Sequence, residues 1–245
     1  MKTALITGAS GGIGIALCKT FVLEGYKVIA QYNENSKPLE NLAKELSSSG
    51  INGALSIYKC DFSHPDKTIS FIEKVILEHG NISVLVNNAG IDLYKLFDLT
   101  EESEWDKVIN VNLKSAYILS KHVLKGMLTK KWGRIINVSS VWGMVGASME
   151  TVYSASKSGL IGLTKALAKE VAPSGITVNC VCPGVIDTKM NACFSKEEMD
   201  SVILDIPVGR LGKPQELADL VCFIASEKAG YLTGAVISLD GGFTL

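Results

Sequence analysis

The stretch Thr3-Ala4-Leu5-Ile6-Thr7-Gly8-Ala9-Ser10-Gly11-Gly12-Ile13-Gly14 decides the fold. A short β-prone run passes into four glycines within seven residues and then into an apolar-periodic helical pattern through Leu17, Phe21 and Val22. Glycines at such a strand-to-helix turn let the backbone bend tightly and come close to a pyrophosphate. The charge of that group is met by free N–H groups and the positive end of the helix dipole. The spacing here is G-x3-G-x-G, distinct from the G-x-G-x-x-G dinucleotide fingerprint.

Downstream, short β-branched runs alternate with amphipathic helical stretches, the pattern of a parallel sheet with helices on both faces. Seven strands are predicted, at Thr3–Thr7, Lys27–Tyr32, Gly53–Cys60, Val84–Asn87, Arg134–Ser139, Thr177–Cys182 and Ala235–Leu239, separated by six helical stretches. Each strand is mainly apolar, as expected when both faces are covered. Right-handed crossovers give one doubly wound (Rossmann) α/β domain over residues 1–245, its crevice at the carboxyl ends of the strands where their order reverses. The longest departure from alternation lies between Pro183 and Pro214 and contains Asp187, Thr188, Met190 and the helical stretch Ser195–Leu204. A substrate loop or lid over about residues 184–213 is the expectation, since long insertions in compact domains are usually functional.

Composition fits a well-filled core: 47% of the 245 residues are hydrophobic and 20% charged. The 24 basic and 25 acidic residues leave a net charge of -1, with no basic run to track a phosphate backbone, so nucleic acid is not an expected partner. Cys18, Cys60, Cys180, Cys182, Cys193 and Cys222 are scattered without CxxC pairs or a histidine cluster, which predicts reduced thiols and no metal site. No segment approaches the ~18 apolar residues of a membrane helix, so a cytoplasmic protein is expected.

Two further pieces belong to the glycine-rich end. Asp61 follows the third strand and could accept a hydrogen bond from an adenine amino group. Asn87-Asn88-Ala89-Gly90, past the fourth, offers two amides and a glycine at the switch point, with room for a ribose. The end of the second strand reads Gln31-Tyr32-Asn33, with Ser36 and Lys37 close behind. An acid there would bind an adenosine 2′-hydroxyl; its absence favours NADP(H) over NAD, although Gly12 stands where a basic residue would strengthen that reading.

Tyr153 and Lys157 lie four apart at the start of a helix running to about Val171, so both side chains emerge on one face. Free tyrosine has a pKa near 10, and moving it toward 7 needs about 4 kcal/mol of phenolate stabilisation, which an adjacent ammonium can help supply. Ser139-Ser140 ends the fifth strand thirteen residues before Tyr153, where a hydroxyl can hold a carbonyl. Asn112, inside a helical pattern continuing through Leu113, Ala116 and Ile118, is a buried-looking amide that either anchors a water leading from Lys157 or marks a helix kink.

Together, TGxxxGxG at Thr7–Gly14, Asp61, NNAG at Asn87–Gly90, Asn112, Ser140, Tyr-x3-Lys at Tyr153–Lys157 and Pro183-Gly184 resemble the short-chain dehydrogenase/reductase family over the whole chain. The resemblance implies a hydride moved between a nicotinamide and a carbonyl carbon. It makes Tyr153 the proton donor, Ser140 the orienter of the carbonyl, Lys157 the ribose ligand that lowers the tyrosine pKa, and Asn112 the support of a proton relay. It also implies cofactor contacts from Gly8, Ser10, Gly12, Ile13, Gly14, Tyr32, Asn33, Asp61, Phe62, Asn88, Ala89, Gly90, Pro183, Gly184, Ile186 and Thr188, and a homotetramer. Within the family, Ile206-Pro207-Val208-Gly209-Arg210-Leu211 and the terminal Asp240-Gly241-Gly242 resemble 3-oxoacyl-[acyl-carrier-protein] reductases. Ser139-Ser140-Val141-Trp142-Gly143, Gly146-Ala147-Ser148 and Glu150 resemble the elongation factor P 5-aminopentanone reductase branch. Ser174 stands where carrier-protein reductases often place a basic residue, leaving Lys131 as the candidate carrier contact. Trp142 and Glu150 therefore join Ser140 and Tyr153 as expected substrate contacts. A carboxylate three positions before the tyrosine suits a cationic substrate; the alternative is a solvated turn acid.

Overall fold

The structure is a computed structural model that describes residues 2–188 and 195–245. The expected loop residue Met190, and Cys193, lie outside the described residues. Seven strands form one parallel sheet: β1 (Thr3–Ile6), β2 (Lys27–Tyr32), β3 (Leu55–Lys59), β4 (Val84–Asn87), β5 (Gly133–Val138), β6 (Ile176–Pro183) and β7 (Val236–Leu239). Their order is β3-β2-β1-β4-β5-β6-β7, with the reversal between β1 and β4. Register follows the chain closely there, Leu5 lying opposite both Ile29 and Leu85.

Both faces are covered, as the apolar strands require. On one face pack α1 (Gly12–Leu23), α2 (Lys37–Ser48) and α9 (Pro214–Ala225), whose Leu17, Leu42 and Val221 share a core with Ile6 and Val86. On the other lie α3 (Pro65–His79), α5 (Ser115–Lys130) and α7 (Thr151–Val171), whose Ile72, Leu119 and Ala168 pack with Leu5, Ile135 and Val178. Three of the six crossovers carry two helices rather than one: α4 (Glu102–Ile109) precedes α5, α6 (Trp142–Val145) precedes α7, and α8 (Lys196–Leu204) precedes α9.

Strand ends were predicted to within two residues; β3 starts at Leu55 because Gly53 is in the left-handed region at φ 70° and ends the preceding turn. Among the described residues no helix is long and apolar enough to cross a membrane.

Candidate active site

The glycine-rich turn is shaped by close packing. Gly8 has φ 61°, and a Cβ on Gly14 would stand 2.3 Å from the Gly8 carbonyl oxygen, so α1 can approach β1 only because residue 14 has no side chain. Gly11 at the head of α1 supplies no capping group, which leaves the first-turn N–H groups without a side-chain acceptor from that residue. These features fit the approach of a dinucleotide pyrophosphate, and the expected group Gly8, Ser10, Gly12, Ile13 and Gly14 lies on this one turn.

The turn is held from below by Gln31, Thr7 and Asn88. The Gly8 N–H donates to Gln31 Oε1 at 2.9 Å, and Gln31 Nε2 donates to the Cys60 carbonyl at 2.7 Å, so one buried amide ties the loop to the ends of β2 and β3. Thr7 Oγ1 accepts from the Asn88 and Ala89 N–H groups, each at 2.9 Å. The Asn88 side chain returns the contact by donating to the Thr7 and Gly8 carbonyls at 2.9 and 3.2 Å. The Asn87 amide turns inward and donates to Asn137 Oδ1 at 2.8 Å. Both amides brace the switch point, because a buried amide must find protein partners. Ala89 and Gly90 give that point its room.

Asp61 accepts from the Ser63 N–H and hydroxyl at 2.9 and 2.7 Å, and the Ser63 hydroxyl chiefly holds its carboxyl below the usual range. Phe62 turns its ring into the core against Phe71, so only its backbone is available to a cofactor. Tyr32 is partly buried and Asn33 exposed at the end of β2.

A cleft of about 500 Å3 opens at the carboxyl edge of the sheet, lined by Ile13, Asn88, Gly90, Ser140, Trp142, Glu150, Tyr153, Lys157, Pro183, Gly184, Ile186 and Thr188. Residues from five separate stretches of chain thus meet in one place. Ser140, just past β5, is buried and within hydrogen-bonding reach of the Tyr153 hydroxyl. Lys157 is buried; its Nζ donates to the Val138 carbonyl at 2.9 Å and stands 5.5 Å from the centre of the Tyr153 ring.

Asn112 sits in a single π-helical turn, Asn110–Lys114, between α4 and α5, and is buried. Its Oδ1 accepts from the Ile91 N–H, and its Nδ2 donates to the Ile91 carbonyl and to Ser156 Oγ, all at 2.9 Å. The amide therefore clamps the chain leaving Gly90 onto α7. The amide sits in a local departure from α-helical geometry, of the kind that often accompanies functional sites.

Burial brings the Lys157 ammonium down to about 8. The phenol moves the other way: burial, with added repulsion from Glu150 and Asp92, pushes Tyr153 up to about 12 against the opposing bond from Ser140. The expected lowering of the phenol is thus outweighed by its burial.

Glu150 lies at the head of α7 in the cleft, its carboxyl raised by burial and by Asp92. Met149 before it has φ 63°, and its carbonyl accepts the Lys95 N–H at 2.7 Å. Asp92 and this strained turn carried no sequence signal, since proximity across two loops is set by tertiary packing. Trp142 closes the far wall edge-to-face with Phe243, ring centres 5.5 Å apart.

The family model described as short chain dehydrogenase matches residues 2–199. The 3-oxoacyl-[acyl-carrier-protein] reductase FabG of Thermotoga maritima is 42% identical over 100% of this chain and 98% of its own. An uncharacterized oxidoreductase of Bacillus subtilis, YmfI, is 40% identical over 99% of this chain and 98% of its own. The acetoacetyl-CoA reductase of Cupriavidus necator is 40% identical over 98% and 97%.

Proposed function

Because this chain belongs to the short-chain dehydrogenase family, oxidoreductases acting between alcohol and carbonyl, we propose that it reduces a ketone to a secondary alcohol with NADPH, in the manner of 3-oxoacyl-[acyl-carrier-protein] reductases. The observation that carries this reading is the meeting of Ser140, Tyr153 and Lys157 on one wall of a cleft that continues into the glycine-rich turn. When bound, the nicotinamide supplies the hydride.

The remaining chemistry belongs to the chain. The Ser140 hydroxyl orients the substrate carbonyl, and Tyr153 gives its proton to the oxygen as negative charge grows there. A phenol held at about 12 is neutral at physiological pH, which is the form a proton donor needs. Lys157 contributes positive charge to the developing phenolate and an N–H donor toward a ribose. Asn112 keeps the wall formed by Ile91 fixed against α7. The absence of an acid at Tyr32 and Asn33 supports NADPH over NADH. The segment 184–213 serves as the substrate loop, and the enzyme works in the cytoplasm as a homotetramer.

A second reading, a 5-aminopentanone group as substrate, is favoured by one observation: among the described residues, Asp92, Glu150, Glu198 and Asp205 line the cleft against a single cation, Lys157. NADPH oxidation followed with a 3-oxoacyl thioester and with an amino-ketone tests both readings. Turnover of the thioester supports the first and preference for the amino-ketone the second. Tight cofactor binding with neither ketone consumed would leave a non-catalytic dinucleotide sensor.

A further inference from the structure

Trp142 and Phe243 stand edge-to-face with ring centres 5.5 Å apart, and both line the cleft that holds Ser140, Tyr153 and Lys157. Neither ring takes part in the hydride or proton steps. Trp142 is tied to the reacting end, because its N–H donates to the Ser140 hydroxyl oxygen at 3.2 Å. Its helix α6 is also fastened to β7, where the Ser238 hydroxyl donates to the Met144 sulfur at 3.5 Å. Phe243 comes from the far end of the chain, just past β7.

The turn that carries Phe243 is gathered by one carboxylate. Asp240 accepts from the Gly242 N–H at 3.1 Å, and from the Thr244 N–H and hydroxyl at 3.0 and 2.6 Å. The Phe243 N–H donates back to the Asp240 carbonyl at 3.2 Å. Gly241 and Gly242 make the reversal at φ 65° and 89°, the left-handed region that glycine enters without strain. The turn then leans on two neighbours. A Cβ on Gly184 would stand 2.9 Å from the Asp240 Cα, and one on Gly241 would stand 2.8 Å from Ile206 Cγ2. The Val208 N–H donates to the Gly241 carbonyl at 3.1 Å, so the return limb of the substrate segment is bonded to the same turn. A ring set on a turn held from this many sides swings aside for a ligand only by breaking these contacts.

We propose that Phe243 is a specificity-determining residue: its ring, backed by Trp142, is the stop that limits the width of the substituent on the ketone, so that an unbranched alkyl group fits and an aryl group does not. Val185 and Val202 line the same cleft, so the substituent meets alkyl and ring carbon while Ser140 and Tyr153 take the carbonyl. A 3-oxoacyl thioester and an amino-ketone both meet this requirement, and the inference deepens either reading of the substrate.

Because it rests on the ketone reading above, its test uses binding as well as turnover. Ethyl 3-oxobutanoate and ethyl 3-oxo-3-phenylpropanoate are compared on the wild type, Phe243→Ala and Asp240→Asn. NADPH oxidation gives kcat/KM, and calorimetry in the non-reacting complex with NADP+ gives ketone affinity. The wild type should favour the methyl ketone in both. Phe243→Ala should raise the phenyl-to-methyl ratio of kcat/KM about tenfold or more, and the affinity ratio in the same direction, as expected when an apolar pocket separates substituents by size. Asp240→Asn, with one carboxylate oxygen fewer to hold the tail, should move both ratios the same way by less. A merely structural role would lower the activity on both ketones equally and leave the ratios where they were. A wild type that favours the phenyl ketone, or a folded Phe243→Ala protein with the wild-type ratio in either measurement, would overturn the proposal. A wild type that consumes neither ketone would sink the catalytic reading instead, and the affinity ratio would still decide the role of Phe243.

Discussion

Tyr153 shows most directly what single residues decide. Removing its hydroxyl in Tyr153→Phe deletes the proton donor and leaves the shape of the cleft, so kcat should fall by ~10²–10⁴ while the NADPH dissociation constant stays put. Stopped-flow turnover beside a fluorescence titration checks both halves. The pH profile has a sign fixed by Lys157: the ammonium is present below about 8 and lost above it, so ketone reduction should decline as pH rises through that value. The phenol, held at about 12, stays protonated over the same window and adds no limb of its own. A profile flat to pH 10 would contradict the role given to Lys157. Glu150 separates the substrate readings. If the ketone carries an ammonium, Glu150→Gln removes a charge-assisted contact worth ~1.5–3 kcal/mol, raising the Michaelis constant for an amino-ketone and sparing a neutral one. Toward an acidic carrier protein the same change should help.

Among the elements, the end of β2 sets the choice of nicotinamide. Tyr32→Asp puts a carboxylate where a 2′-phosphate would lie, so the ratio of catalytic efficiencies should turn from NADPH toward NADH. Wild-type efficiency equal for the two cofactors would remove the premise. The strands and the turn from Thr7 to Gly14 were readable because apolar runs and glycines report local constraints. The placement of Ser140, Tyr153 and Lys157 in one cleft followed once those strands were ordered in a sheet. What stayed hidden lies between elements. Gln31 reads as a polar strand residue until its amide is seen spanning Gly8 and Cys60, and no local pattern shows the Asn88 amide bonded to the Thr7 and Gly8 carbonyls. Asp92 beside Glu150 depends on Lys95 catching Met149, a contact across more than fifty residues that no local pattern encodes.

At the scale of the whole molecule, Tyr94, Leu96, Phe97 and Leu99 stand 62%, 50%, 67% and 56% exposed in one short run after β4. Clustered apolar side chains of this kind usually meet another protein surface, in keeping with the proposed homotetramer. Light scattering should return four copies, and Phe97→Glu should lower that number; a wild type that stays monomeric at all concentrations would refute the assembly. The strand order has its own consequence for how the chain is made. β1 leaves the ribosome first and meets β2 by residue 32, but its other edge is filled only when Val84–Val86 arrive opposite Ala4–Ile6. During vectorial synthesis the middle of the future sheet is therefore an open apolar edge for some fifty residues of elongation, roughly several seconds at cellular rates. A nascent chain stalled in that interval would present a ready template for strand pairing between neighbouring polysomal chains.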